Sequence, residues 1–221
     1  MKSNHLALIT LHADPSKPSG TGEGGGTHSY IRELMVALPK ENWNLTVLTR
    51  WADANLPEFE TISSRVRIVR LRIGEVNPLD KRLLNGFHRT SLTAAEKALK
   101  VVSKVDLIHS VYWNSGRVAA DLSKKLKLRF VQTVISNGWR RLQQGAKDQP
   151  LIRLKIEKQV FTSAFTIFCI SHEERDDLVN HYEVDSDKIV IIGRPVANNF
   201  RHPPHDEMGK PFLVFLPEAV T

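Results

Sequence analysis

The sequence contains a single cysteine and no long apolar run. Cys169 excludes an intramolecular disulfide, and its place in the apolar run 165–170 predicts a small buried core residue rather than a nucleophile. This cysteine usage is typical of a protein of the reducing cytoplasm. No apolar segment reaches the roughly 18 residues that span a bilayer, and the first apolar stretch is too short for a signal-peptide core. We therefore predict that a β-strand opens the chain.

Composition and charge narrow the class of protein. With 221 residues, of which 41% are hydrophobic and 25% charged, the chain can bury a core as one large α/β domain or two small ones. The formal net charge of +7 favours anionic partners: phosphorylated small molecules, nucleic acid or an acidic membrane surface. The basic residues are dispersed rather than collected on one helix among aromatics, so nucleic acid ranks last.

Short apolar runs alternate with helical patterns along the chain. We predict strands at 5–11, 45–50, 65–73, 105–112, 129–135, 165–170 and 188–192, and helices at 27–39, 88–103, 116–126, 150–163 and 172–182. Strands separated by helices imply a mostly parallel, twisted sheet covered on both faces, which is a three-layer Rossmann-like α/β domain. Right-handed crossovers place the loops after the strand carboxyl ends along one edge, where ligands bind.

Three local signals refine this pattern. Ser171 and Glu174 have the spacing of a capping box, which predicts the start of helix 172–182. Pro150 suits the first turn of helix 150–163. The arginine-rich run 65–73 is a poor central strand, so we expect an outer strand protected by charge, with a polyanion site as the alternative.

A glycine-rich loop follows the first predicted strand and leads directly into a helix. His12-Ala13-Asp14-Pro15 precedes the glycines of 20–26, and the helical pattern begins at Thr27. Glycines let a backbone approach a ligand closely, and the first amides of a helix offer unpaired donors to a phosphate or a sugar diphosphate. A long turn without a ligand explains the same residues equally well. The glycine spacing does not match a dinucleotide fingerprint.

The last residues differ in composition from the rest. We interpret 1–200 as one domain, and 201–221 as a linker followed by the start of a missing C-terminal domain. His202 and His205 have no further candidate ligands nearby, so no metal site is predicted.

Four stretches together resemble the N-terminal half of a retaining family 4 glycosyltransferase of the GT-B fold, in the sucrose-phosphate synthase-like group. His12–Pro15 through Gly25-Gly26 to Leu34 resembles "HGDP…GGQNVYVREL", and Asp106 to Leu122 resembles "DVIHAHY…G". The remaining two stretches begin at Gln132 and at Glu157, with the segment from Gln132 similar to "HTFHALG..KRR.QG". The likeness covers about residues 5–200 in order, at fitting distances.

This resemblance implies site residues and substrates. It implies that Gly25 and Gly26 approach the diphosphate of a nucleotide-sugar donor, and that Lys81 contacts a hydroxyl or phosphorylated acceptor. Acceptor contacts are also implied at the basic pair Arg140 and Arg141, with Asn137 as a polar neighbour. An arginine fork suits phosphate. The nucleotide sugar is a substrate, so no cofactor and no metal are expected.

Two departures bear on activity. The family has a histidine near the reacting sugar where this chain has Ile135, which cannot form a side-chain hydrogen bond. We expect the C-terminal Rossmann-like domain, which holds most of the family's donor contacts, to be missing, so catalytic residues stay unassigned. The first hypothesis is the acceptor half of a hexosyl transferase, completed by a separate donor domain. The alternative is a catalytically silent module for a sugar phosphate or glycan, and a peripheral membrane contact is left open.

Overall fold

The computed structural model describes residues 3–17, 25–102, 104–146 and 152–193. Its strands are Asn4–Ile9 (β1), Trp43–Arg50 (β2), Phe59–Ser63 (β3), Val66–Leu71 (β4), Leu107–Val111 (β5), Phe130–Thr133 (β6), Thr166–Cys169 (β7) and Ile189–Ile191 (β8). Its α-helices are Gly26–Lys40 (α1), His88–Val101 (α2), Trp113–Leu126 (α3), Gly138–Gln143 (α4), Ile152–Ser163 (α5) and His172–Tyr182 (α6). The predictions for 201–221, His202, His205, Pro150 and the glycines of 20–24 lie outside the described residues.

The strands form one twisted sheet in the order β3-β4-β2-β1-β5-β6-β7-β8. Every neighbouring pair is parallel except β3 and β4, which are antiparallel. The chain starts in the middle at β1, winds outward through β2 and β4, and then returns to build the other side from β5 to β8. This doubly wound order confirms the predicted Rossmann-like architecture, and it brings the loops after β1, β2, β5 and β6 to one edge.

Alternate residues of the strands enter two separate cores. On one face, Ile9, Leu48 and Ile108 pack with apolar residues of α2, α3, α5 and α6. On the other face, Leu8 and Val47 pack beneath α1, whose Ile31 is fully buried. Both faces are apolar because the sheet is covered on both sides, as the near-continuous apolar runs predict. None of the helices that the structure describes is long and apolar enough to cross a membrane.

The arginine-rich run is not an outer strand, and this expectation was wrong. The strand within this run, β4, lies between β2 and the edge strand β3. Arg70 is fully buried there, and its guanidinium pairs with Asp14 at 2.6 Å and with Glu60 at 2.6 Å. A buried charge is tolerated when it is paired and hydrogen-bonded, which explains how an arginine enters an interior strand.

Candidate functional site

A cleft of about 410 Å³ opens at the carboxyl edge of the sheet, and we call it the β1–β2 cleft. The loop after β1, the end of β2, the first turn of α1 and the segment 78–84 enclose it. It is lined by Leu11, His12, Asp14, Lys17, His28, Thr49, Arg50, Ala52, Pro78, Leu79, Asp80 and Leu84. Ligands bind at this edge in doubly wound sheets, and the cleft lies beside the strand at which the winding reverses.

Buried arginines fix the two loops that form the cleft walls. The Asp14 carboxylate accepts a 2.6 Å hydrogen bond from Arg70 Nε, and Ser16 Oγ accepts one of 2.9 Å from Arg70 Nη2. Opposite, Arg50 donates from Nε to the Ile73 carbonyl at 2.9 Å and from Nη1 to the Asn77 carbonyl at 2.6 Å. Hydrogen bonds from a charged donor are strong, so these two buried arginines hold the irregular segments that form the cleft walls in place.

Three buried polar atoms at the cleft have no hydrogen-bond partner among the described residues. They are His12 Nδ1, His28 Nδ1 and Thr49 Oγ1. His28 is 3% exposed and Thr49 is 1% exposed, so bulk water does not compensate either side chain. Buried polar groups are nearly always hydrogen-bonded, and exceptions indicate strain, catalysis or an absent partner such as a ligand or water.

Both imidazoles are held in the neutral state. The pKa of His12 is lowered to about 3, mainly by burial, with Lys81 and His28 acting in the same direction. Burial also lowers the pKa of His28, with Arg32 contributing in the same direction. A neutral imidazole nitrogen donates or accepts a hydrogen bond according to its tautomer. Each ring can therefore donate to the oxygen of a hydroxyl group or accept its hydrogen.

Two lysines place positive charge next to this neutral floor. Lys17 lines the cleft, and Lys81 lies in the segment that closes it. Lys81 is positioned by its backbone, because its carbonyl oxygen accepts a 2.9 Å hydrogen bond from Asn114 Nδ2. Of the acidic residues that line the cleft, Asp14 is paired with Arg70 and Asp80 with Arg82. The local charge is therefore positive, which suits an anionic group at the mouth.

Of the predicted donor residues, Gly26 lines a second, smaller depression of about 80 Å³, and Gly25 precedes it in the chain. Gly25 is the N-cap of α1 in an extended conformation, and Gly26 opens the helix and lines this depression. Gly25 has no side chain with which to cap the helix, and the His28 amide donates to the Gly25 carbonyl at 3.0 Å. Helix amides of this kind attract phosphate groups. Ile135 lies in the same depression and presents an apolar surface to it.

The predicted residues Asn137, Arg140 and Arg141 lie together at the start of α4. Asn137 is the N-cap: its Oδ1 accepts a 2.8 Å hydrogen bond from the Arg140 amide. The side-chain Nδ2 of Asn137 and the Nε of Arg140 both donate to Asp177 Oδ2, at 3.1 and 2.6 Å. These contacts attach the start of α4 to the Asp177 carboxylate of α6 and are structural. The next residue, Arg141, is half-buried. Acceptor contacts from all three residues stay predictions.

A buried ionic group supports the same turn from below. The fully buried Glu157 carboxylate accepts hydrogen bonds from the Gly138 amide at 2.9 Å, Arg153 Nε at 2.7 Å and the Tyr182 hydroxyl at 2.5 Å. Arg153 also donates to the Ser136 carbonyl at 2.8 Å. Burial raises the pKa of Glu157, and the Arg153 charge opposes that shift. This network fixes the loop after β6.

Backbone strain occurs where β5 passes into α3. Tyr112 has φ 73° and ψ 154°, a region that residues other than glycine rarely adopt. Its ring lies 4.6 Å from that of His12 and over the Arg153 guanidinium, at 5.2 Å. Such strain persists only when the surroundings enforce it, and it clusters at functional sites. Tyr112 therefore joins the cleft and the Glu157 network into one edge.

Sequence reasoning and structure agree only in part on this edge. The structure brings Lys81 near His12 and His28, and Gly26 near Ile135, but it sets Asn137 and Arg140 into a separate group with Asp177. His12, His28 and Thr49 were not selected from the sequence. The two histidines flank the glycine loop and could have been selected, whereas Thr49 is an ordinary strand threonine. The described residues contain no group of three or more potential metal ligands.

The chain belongs to the glycosyl transferase 4-like domain family, whose model matches residues 25–195. It is 28% identical over 191 residues to a D-inositol 3-phosphate glycosyltransferase of Pseudarthrobacter chlorophenolicus, covering 84% of this chain and 46% of that protein. A D-inositol 3-phosphate glycosyltransferase of Salinispora tropica is 27% identical over 195 residues, covering 85% of this chain and 40% of that protein. The chain thus spans less than half the length of these relatives.

Solved structures agree with this assignment. The sucrose-phosphate synthase of Thermosynechococcus elongatus superposes with a TM-score of 0.80 at 25% identity, covering 86% of this chain and 48% of that one. A putative UDP-N-acetylglucosamine 2-epimerase from Listeria monocytogenes shares the fold alone, with a TM-score of 0.59 at 12% identity. The predicted resemblance is confirmed: the chain has the fold of the N-terminal half of a GT-B glycosyltransferase.

Proposed function

We propose that this chain is the acceptor-binding half of a retaining hexosyl transferase. In the proposed reaction, the bond between the sugar C1 and the donor phosphate breaks, and C1 bonds to an acceptor hydroxyl oxygen on the same face. The hydroxyl proton passes to the departing phosphate oxygen, so no protein base is required. The family match over residues 25–195 is the observation that carries this proposal, and it favours transfer over a silent binding module.

We propose a phosphorylated polyol or sugar as the acceptor. The names of the relatives, D-inositol 3-phosphate glycosyltransferase and sucrose-phosphate synthase, each contain a phosphorylated polyhydroxy compound. The excess positive charge of Lys17 and Lys81 beside a polar cleft supports the same class. Donor diphosphate binding at Gly25 and Gly26 is supported by the glycine N-cap of α1, which adds no side chain at the positive end of the helix.

A second, donor-binding half is part of this proposal. Reaction in a GT-B enzyme takes place in a cleft between two halves, which together exclude water and surround the leaving diphosphate. We place the chain in the cytoplasm, with a nucleotide sugar as donor substrate. A contact with an acidic membrane surface stays a prediction from the net charge of +7.

The test is a complemented transfer assay. The chain is co-expressed with the carboxyl-terminal half of the Pseudarthrobacter chlorophenolicus relative and supplied with UDP- or GDP-hexoses and D-inositol 3-phosphate or glucose 6-phosphate. We expect release of the nucleoside diphosphate with the complement and negligible release from the chain alone. Robust transfer by the isolated chain would contradict the need for a second half. If the chain neither transfers with the complement nor binds either acceptor, the proposal fails.

A further inference from the structure

The parallel strands all begin at one edge of the sheet, which we call the amino edge, and the β1–β2 cleft lies at the opposite edge. Helices α2 and α3 both end at the amino edge, because the chain leaves them to enter the neighbouring strands β5 and β6. The ends of these helices and the connections after them carry six exposed cations, which we call the basic patch: Lys100, Lys104, Lys124, Lys125, Lys127 and Arg129.

Little negative charge balances the basic patch. Two carboxylates lie beside it, and both are engaged. Glu96 binds Lys100 at 3.2 Å and also pairs with Lys125, while Asp106 accepts a 2.9 Å hydrogen bond from the His5 amide. The members of the patch that form no ion pair with any residue the structure describes are Lys104, Lys124 and Lys127. Like charges collected in this way repel one another, so an anionic partner would stabilise them.

Lys127 occupies a backbone position that favours glycine. It follows the last residue of α3 with φ 53° and ψ 40°, in the left-handed region. Glycine is the usual residue there, because a Cβ comes too close to the following carbonyl oxygen. The lysine therefore costs the fold stability while it adds a charge to the basic patch.

Two exposed apolar side chains adjoin the basic patch. Val101, directly after Lys100, is 71% exposed, and Phe165, directly before β7, is 52% exposed. The Arg129 guanidinium lies over the Phe165 ring, 4.2 Å from its centre. Cations with exposed apolar side chains among them are typical of surfaces that lie on lipid headgroups.

A lipid surface fits these features better than a nucleic acid does. The patch holds five lysines and one arginine, whereas phosphate and base recognition favour arginine forks and free aromatic faces. Arg129 already covers a face of the Phe165 ring, where a base would stack. Val101 gains free energy by entering a headgroup layer and offers a nucleic acid no polar contact.

We infer that the amino edge of the sheet is a docking surface for an anionic lipid membrane, with the basic patch on the headgroups and Val101 and Phe165 in contact with them. This inference goes beyond the proposed function and does not depend on the identity of the acceptor. The β1–β2 cleft faces away from the membrane in this arrangement, because it lies at the carboxyl edge, and stays open to dissolved substrates.

Vesicle flotation with the purified chain tests the docking surface. Vesicles of phosphatidylcholine and phosphatidylglycerol in a two-to-one mixture should bind the chain at about 0.1 M salt and release it at about 1 M, where the screening length falls to about 3 Å. Vesicles of phosphatidylcholine alone should not bind it. Binding to both kinds of vesicle alike would contradict a surface that recognises anionic headgroups.

A triple substitution removes the unpaired lysines of the patch. Each basic residue near an anionic surface contributes about 1 kcal/mol, or about fivefold in affinity, so vesicle binding should weaken about thirtyfold or more. The substitutions are Lys104→Gln, Lys124→Gln and Lys127→Gln. The matched control removes as much charge from other exposed surfaces and should change the affinity less than about threefold. Its substitutions are Arg67→Gln, Arg89→Gln and Lys155→Gln.

A glycine at position 127 separates the charge from the fold. Lys127→Gly relieves the left-handed backbone and should keep or raise the melting temperature, yet lower vesicle affinity about fivefold. Glu183→Gly is the matched control, because Glu183 follows α6 with φ 56° and ψ 39°. It should also keep or raise the melting temperature, with vesicle affinity unchanged or slightly stronger. Weaker binding in both variants, or in neither, would count against the basic patch.

A fluorescent label shows which edge meets the membrane. Cys169 is buried, so a cysteine introduced on the surface can be labelled selectively. An environment-sensitive dye at Val101→Cys should brighten and shift to shorter wavelength when anionic vesicles are added. The same dye at Gly86→Cys, in open space on the segment 83–87 that precedes α2, should not change. The reverse pattern would overturn the proposed orientation.

The vesicle and transfer assays fail independently. If the complemented enzyme transfers hexose but the chain binds no anionic vesicles, or the triple variant binds them as its control does, the docking surface is overturned and the proposed function stands. Tighter binding to duplex DNA than to anionic vesicles, weakened by the same three substitutions, would make the patch a nucleic-acid site and overturn the inference. Vesicle binding by a chain that transfers nothing with its complement would support the docking surface and count against the proposed function alone.

Discussion

Arg153 and Glu157 form a fully buried ion pair one turn apart on α5, with Arg153 Nε 2.7 Å from Glu157 Oε1. The pair lies beneath the loop after β6, and its remaining hydrogen-bonding capacity is used by Ser136, Gly138 and Tyr182. Two charges that are costly to bury thus hold a turn that carries the predicted acceptor residues. The pair positions this edge of the sheet rather than merely filling the core.

Removing the acidic partner should be strongly destabilising. Glu157→Leu leaves the Arg153 guanidinium buried without its counter-charge, so we expect a loss of about 3–5 kcal/mol in the free energy of unfolding. Urea titration followed by circular dichroism measures it. Lys158→Gln is the control, because Lys158 pairs with Glu183 at 2.6 Å on the exposed surface and should cost less than about 1 kcal/mol. Equal effects for both substitutions would refute the proposed importance of burial.

A methyl group at Gly116 should destabilise α3 although alanine is the better helix former. A Cβ there would lie 2.4 Å from Gln132 Oε1 and 2.7 Å from Val160 Cγ1, so these two buried side chains must shift. We expect Gly116→Ala to cost about 1–3 kcal/mol in urea titration. Gly86→Ala is the comparison, since nothing lies within 4 Å of its added Cβ. A neutral Gly116→Ala would mean that α3 does not pack against β6 as closely as described.

Stability should decline in mild acid because of His109. Burial lowers the pKa of His109 to about 4, from an ordinary value of 6.5 that applies in the unfolded chain. The unfolded chain therefore takes up the proton first as pH falls. The stability that neutral His109 allows is complete above pH 6.5. It is lost progressively between pH 6.5 and about 4, and it is gone below pH 4. The slope is about 1.4 kcal/mol per pH unit from this group.

His109→Gln should flatten that slope. Glutamine does not titrate and can still reach Thr133, whose Oγ1 lies 2.7 Å from His109 Nε2. Urea titrations at pH 7, 6, 5 and 4 give the slope for each variant. His172→Gln, at an exposed position on α6, is the control. An unchanged pH dependence in His109→Gln would place the acid sensitivity elsewhere.

The donor prediction at α1 can be tested with charge. Gly26→Asp puts a carboxylate at the helix start, which should stabilise the fold by about 0.3–1 kcal/mol through the helix dipole. The same charge repels a diphosphate, so the KM for the nucleotide sugar should rise at least tenfold in the complemented assay. Gly86→Asp places the same side chain in open space away from the depression. A raised KM in both variants, or in neither, would argue against the donor site.

Lys81 should contribute to binding of the acceptor phosphate. Lys81→Gln removes a charged donor, and we expect affinity for inorganic phosphate and for D-inositol 3-phosphate to fall about tenfold or more. Lys97→Gln on α2 is the control, since Lys97 is exposed and lines a different groove. If Lys81→Gln affects only the polyol phosphate, Lys81 contacts the ring instead.

Three departures from the sequence-based predictions have distinct physical causes. β3 was missed because nearly all of its side chains are exposed, so Phe59–Ser63 shows no apolar alternation. α4 spans only Gly138–Gln143, too short for helical periodicity, although Asn137 is a regular N-cap residue. Helix α3 begins at Trp113 rather than 116, because the strained Tyr112 before it gives no sequence signal. The conformation of short or exposed elements depends on contacts with neighbouring elements, which local sequence periodicity does not show.

The sequence by itself determined the α/β class, the strands β1, β2 and β4–β8, the glycine loop before α1 and the family likeness. Each depends on local periodicity or on adjacent residues, which a linear pattern carries. Only the tertiary structure decided the strand order, the pairing of Arg70 with Asp14 across 56 residues, and the meeting of Thr49 with His12 and His28. These depend on which distant segments share one sheet edge, and that is set by packing the whole chain around two cores.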